Sequence, residues 1–110
     1  MAAFSELLIE QGATFSSTVN VEDSAGASIN LHGYSAASQM RKSYYATSNT
    51  AFLATITGEA NGEITLSMTS ANTATLTPGR YVYDVVITDS ANVKNRVIEG
   101  MVLVTEGVTR

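Results

Sequence analysis

Leu76-Thr77-Pro78-Gly79-Arg80-Tyr81-Val82-Tyr83-Asp84-Val85-Val86-Ile87-Thr88-Asp89 is the stretch that decides the fold. It opens with the single proline of the chain, followed at once by glycine. Proline fixes φ and glycine accepts positive φ, so Pro78-Gly79 suits the central positions of a type II turn. A β-prone run follows. Side chains on a strand alternate between two faces, which puts Tyr81, Tyr83, Val85 and Ile87 in one apolar row. Val82 and Val86 on the other row imply that this face is partly covered too. The pattern predicts a central strand in the middle of a sheet.

Towards the C-terminus, Asp89-Ser90-Ala91-Asn92 reads as a hairpin turn and residues 93–104 as the last long strand. Gly100 in its interior predicts a bulge. Residues 105–110 are polar and are expected to fray. Towards the N-terminus, Ser70 is placed to cap one helical turn through Ala74, with Leu76 dropping into the core. Ile64, Leu66 and Met68 point inward from residues 63–68. Gly58-Glu59-Ala60-Asn61-Gly62 is a hairpin signal, and Phe52, Ala54 and Ile56 form the inward row before it. Residues 43–50 are polar and read as a loop. Residues 34–42 alternate, with Tyr34, Ala36, Ser38 and Met40 on one side. His32-Gly33 and residues 22–26 are breaks. Between them, Ile29 and Leu31 form a short edge strand or plug the core. Phe15, Ser17, Val19 and Val21 line up in residues 13–22, Gln11-Gly12 is a break, and residues 4–10 are a first strand. The total is about seven strands at roughly 8–12-residue spacing, which predicts an all-β, antiparallel β-sandwich.

Composition narrows the function. The 110 residues fit one domain, taken as residues 1–110, and the 45% hydrophobic content is ordinary for a globular chain. No run approaches the roughly 18 apolar residues of a membrane span, and the N-terminal residues lack the basic and apolar regions of a signal peptide. There is no cysteine, so disulfides and thiolate metal sites are excluded. The formal charge is −4 and the six basic residues are scattered. A nucleic-acid binder would show a basic stripe.

No constellation points to catalysis or to a cofactor, and the expectation is a protein without either. The lone His32 has no carboxylates at ligand spacing. Glu22-Asp23 and Asp84/Asp89 do not form a calcium loop, and no phosphate-loop pattern occurs. Asp84 interrupts an apolar strand and is expected to pair with Arg96 or Lys94 on a neighbouring strand. Arg41-Lys42 beside Tyr44-Tyr45 combines basic and aromatic groups, a pairing that protein interfaces favour. Phe4, Leu7 and Leu8 near one end are apolar for a free tail, and Arg110 closes a polar segment that can reach a neighbour. Phe4, Leu7, Leu8, Tyr44, Tyr45 and Arg110 are therefore the candidate interface residues. The plainer alternative is that both ends pair within the domain.

Several phrases also carry a resemblance. They are Ile9-Glu10-Gln11-Gly12-Ala13-Thr14-Phe15, Ile29-Asn30-Leu31-His32-Gly33-Tyr34, Met40-Arg41-Lys42, Gly62-Glu63-Ile64-Thr65-Leu66, Leu76 to Asp84, Val97-Ile98-Glu99-Gly100 and Val102-Leu103-Val104. In order and spacing the chain resembles small structural proteins of tailed bacteriophages. It is also similar to the immunoglobulin-like N-terminal domain of phage baseplate upper proteins. The resemblance implies an immunoglobulin-like sandwich in a virion, made in the host cytoplasm and docking on a capsid, neck or baseplate. Its implied partners are other virion proteins and further copies of itself, as a homo-oligomer or symmetric lattice, with neither nucleic acid nor membrane. The alternative is a receptor- or carbohydrate-binding module.

Overall fold

The computed structural model describes residues 3–22, 26–43, 45–47 and 49–108, with the backbone alone at 3 and 4. Eight strands occur among them: β1 (Ala3–Phe4), β2 (Leu7–Glu10), β3 (Phe15–Asn20), β4 (Ser35–Arg41), β5 (Thr50–Gly58), β6 (Glu63–Met68), β7 (Gly79–Thr88) and β8 (Lys94–Thr105). A 3₁₀ turn, Glu59–Asn61, joins β5 to β6, and a one-turn helix α1 (Ser70–Thr73) precedes β7. The chain is all-β, and the quoted stretch is central as its alternation predicts. β7 lies between β4 and β8, with Tyr81, Tyr83, Val85 and Ile87 buried.

The sheet is mixed rather than antiparallel. β1 and β2 run parallel to β8, with Ala3 beside Ile98 and Leu7 beside Val102. Parallel strands cannot be joined by a tight hairpin, so this pairing unites the two ends of the chain across the whole domain. No local pattern announces it. Nor do the strands divide into two separate sheets. β5 pairs with β4 through Thr50–Phe52 and with β6 from Leu53 onward, giving one path β1-β8-β7-β4-β5-β6-β3. The path curls almost into a barrel, and β2, which pairs with β8 beyond β1, faces the other edge strand β3 across a groove.

The predicted inward rows hold. Phe15, Val19, Met40, Phe52, Ile64, Leu66 and Met68 join the β7 residues in one core cluster, to which β8 adds Ile98, Val102 and Val104, and Leu31 plugs it from a loop. Phe52 packs between Phe15 and Tyr83, with ring centroids 5.7 and 6.2 Å away.

Local details differ from expectation in instructive ways. The α1 cap is Thr69, whose side chain accepts from the Asn72 N–H, and not Ser70. The extended chain ends one residue earlier than expected, and Ser70 becomes the first residue of the turn. Gly79 takes the positive φ its type demands, at 139°, but as the first residue of β7. The ladder irregularity on β8 falls at Val97, between the Val85–Ile98 and Val86–Arg96 pairs, and not at Gly100. Gly100 serves close approach instead: a Cβ there would collide with the Ser5 carbonyl. The first strand breaks at the same place, Ser5-Glu6. The tail is tied down as far as Gly107, whose N–H donates to Gln11 Oε1.

Candidate docking face

The outward residues of β2, β8, β7 and β4 share one surface. Leu8 lies beside Leu103, which lies beside Arg80. In the next row Met101 pairs with Val82 and Val82 with Arg41; then Glu99 with Asp84 and Asp84 with Gln39. Leu8 is 54% and Leu103 45% exposed, and Met101 and Val82 are half-buried. The result is an apolar patch two rows deep with Glu6, Glu10, Arg80, Arg41, Asp84 and Glu99 around it. Glu6, Arg80, Met101 and Leu103 enclose a small depression at its centre.

This face is held from beneath. Tyr83 Oη donates to the Ser5 carbonyl at 2.8 Å, and Tyr83 itself lies opposite Gly100. Burial pushes the Tyr83 phenol pKa up, and the hydrogen bond to Ser5 pulls the other way. Glycine leaves room for the Ser5 backbone to fold over β8. That contact fixes β2 and so the position of Leu8.

Only part of the expected interface gathers here. Leu8 lies on the face. Leu7, one residue away, points into the core and is buried. The Phe4 side chain, Tyr44 and Arg110 lie outside the described residues. Tyr45 is 94% exposed, on the loop beyond β4. Arg41 and Lys42 do not form a platform with it. Arg41 donates to the Ala46 and Thr47 carbonyls at 2.6 and 3.3 Å, and Lys42 lies 4.6 Å from the Tyr81 ring centroid. Asp84 pairs with neither Arg96 nor Lys94. The hairpin register sets it opposite Glu99, while Arg96 and Lys94 fall opposite Val86 and Thr88. Arg96 instead binds Glu99 on its own strand, at 3.3 Å.

Sequence reasoning missed Leu103, Met101 and Arg80. Their outward direction follows from alternation, but their union with Leu8 follows from the parallel β2–β8 register.

The opposite outer face, on β3, β6 and β5, has different chemistry. Thr18, Thr65 and Thr55 lie in one row across the three strands, and Ser16, Ser67 and Leu53 in the next. Thr65 Oγ1 lies 3.1 Å from both Thr18 Oγ1 and Thr57 Oγ1. His32 is on the surface, 3.2 Å from Glu59, and among the described residues no three metal-binding side chains cluster.

No family model and no curated protein matches the chain. Among solved structures it is similar to an internalin-like protein of Listeria monocytogenes, at 17% identity and a TM-score of 0.45. That match covers 96% of this chain and 28% of the other, so the chain spans under a third of that protein's length.

Proposed function

We propose that this chain is a structural docking protein of a tailed-phage virion, acting by surface burial and not by chemistry. The observation that carries the reading is the apolar patch of exposed Leu8 and Leu103 with half-buried Met101 and Val82 inside a charged rim. An apolar centre with a polar margin is the anatomy of a protein–protein contact. The occupant it fits is a virion subunit with an apolar ridge and basic flanks, because Glu6, Glu10 and Asp84 outnumber Arg80 and Arg41 at the rim, Glu99 being paired with Arg96. The virion assignment itself is supported by the sequence resemblance to small tailed-phage structural proteins.

The immunoglobulin-like reading is supported by Tyr81, near the start of β7, whose hydroxyl donates to the Thr77 carbonyl at 2.7 Å. A tyrosine bonded back to backbone just upstream marks the corner before a late strand in such domains. On this reading the fold is a variant whose first strands run parallel to β8 and whose two sheets are joined into one through β5.

The test is incorporation. Labelled wild-type protein is expected to decorate tailed particles in negative stain, and Leu8→Glu to lose decoration while its thermal midpoint stays put. Equal decoration by both proteins refutes the face as the contact. The full exposure of Tyr45 favours a second reading, receptor or glycan binding through its loop. Retention on host cells that Tyr45→Ala abolishes and Leu8→Glu spares would favour it.

A further inference from the structure

We infer that the free edge of β3 pairs with β3 of a second copy, about a two-fold axis through Thr18. The argument starts with which backbone groups are available. The Val21 N–H donates to the Gly62 carbonyl, in register with the β3–β6 ladder. Backbone groups alternate sides along a strand, so Val19, Ser17 and Phe15 also face β6. Ser16, Thr18 and Asn20 then present their N–H and C=O groups outward. In an antiparallel pair centred on Thr18, Thr18 meets Thr18 and Ser16 meets Asn20 of the other copy. All three positions are of the outward-facing kind, so the ladder closes without a bulge.

Charge selects this edge over the other. On β2 the Ser5 and Gln11 N–H groups donate to the Glu99 and Thr105 carbonyls. Glu6, Leu8 and Glu10 therefore face outward. Self-pairing through Leu8 would set Glu6 against Glu10 twice, and like charges directly opposite are unfavourable. The β3 edge, Phe-Ser-Ser-Thr-Val-Asn, carries no charge, no proline and no bulge, the devices that block edge-to-edge pairing. Its side chains suit the contact as well. The Thr18–Thr65–Thr55 row would continue into its own mirror, making a threonine row six strands wide. A two-fold contact of this kind is isologous and closes at two copies.

Sedimentation equilibrium over a concentration series tests the pairing. The expected mass rises towards twice that of the monomer, and more readily in high salt, because the acidic β2 edges flanking the seam are then screened. Thr18→Lys is expected to weaken association by about tenfold or more while leaving the thermal midpoint in place. The chain has no cysteine, so a single Thr18→Cys gives a clean second readout. Hydrogen-bonded antiparallel partners have Cα atoms about 5.5 Å apart, within disulfide reach. Oxidised Thr18→Cys is expected to run as a covalent dimer and Leu8→Cys as a monomer. A monomer throughout the series overturns the proposal. So does a dimer that Leu8→Cys traps and Thr18→Cys does not, or one that salt dissociates.

Discussion

The two outer faces of this domain are built by the same alternation and end in opposite chemistry. On β2–β8–β7–β4 the outward residues include Leu8, Leu103, Met101 and Val82, bordered by charge. On β3–β6–β5 they are mostly threonine and serine, with Leu53 as the apolar exception at 67% exposure. The difference teaches that inward rows are set by a shared core, whereas outward rows are free to diverge. The apolar face depends on what lies beneath it, since Tyr83 and Gly100 seat the strand that brings Leu8 alongside Leu103. The hydroxyl face is stitched at its own surface by threonine pairs.

The comparison breaks most severely at Tyr83. Its ring is buried against Phe52, and its hydroxyl holds Ser5. Tyr83→Ala is expected to cost about 3–5 kcal/mol in denaturant unfolding, as other buried aromatic truncations do. A loss below about 1 kcal/mol would place the ring outside the core. Gly100→Ala should have a smaller and more localised effect. The new methyl group displaces Ser5, and overpacking of this kind costs about 1–3 kcal/mol. Amide exchange should speed up in β2 and stay slow in β3 and β6. Equal acceleration on both faces would show that the two are not independently supported. Smallest of all is Thr65→Ala. It removes both threonine contacts at the centre of the hydroxyl row, and cross-strand pairs of that type contribute roughly 0.2–1 kcal/mol each. A loss as large as that of Gly100→Ala would make the hydroxyl row a structural support on a par with the Ser5 seat.

Much of the fold is legible along the chain because it is local. The inward rows of β3, β4, β6 and β7 appear as alternation, and the Gly58–Gly62 and Asp89–Asn92 turns appear as residue types that tolerate tight geometry. Asn92 takes a positive φ of 64°, and Asp89 Oδ1 accepts from the Ala91 and Val93 N–H groups, as a turn of that composition allows. Less of the candidate face is legible. Leu8 is recognisable as an apolar residue near one end, but Leu7 beside it looks the same and is buried. Successive side chains of a strand point to opposite faces, so which of two adjacent leucines faces solvent depends on where the core lies.

The amino-acid sequence by itself determined the all-β class, the central place of residues 79–88 and the inward rows of β3, β4, β6 and β7. These follow from propensity and from the two-residue period of a strand, which act over a few residues. Tertiary structure decided that the first strand runs parallel to the last, that β5 joins the two halves of the sheet, that Asp84 faces Glu99, and that Gly100 admits the Ser5 backbone. Each of these depends on register between segments far apart in sequence. Register is chosen by how side chains from many strands fill one interior, and no single segment carries that information.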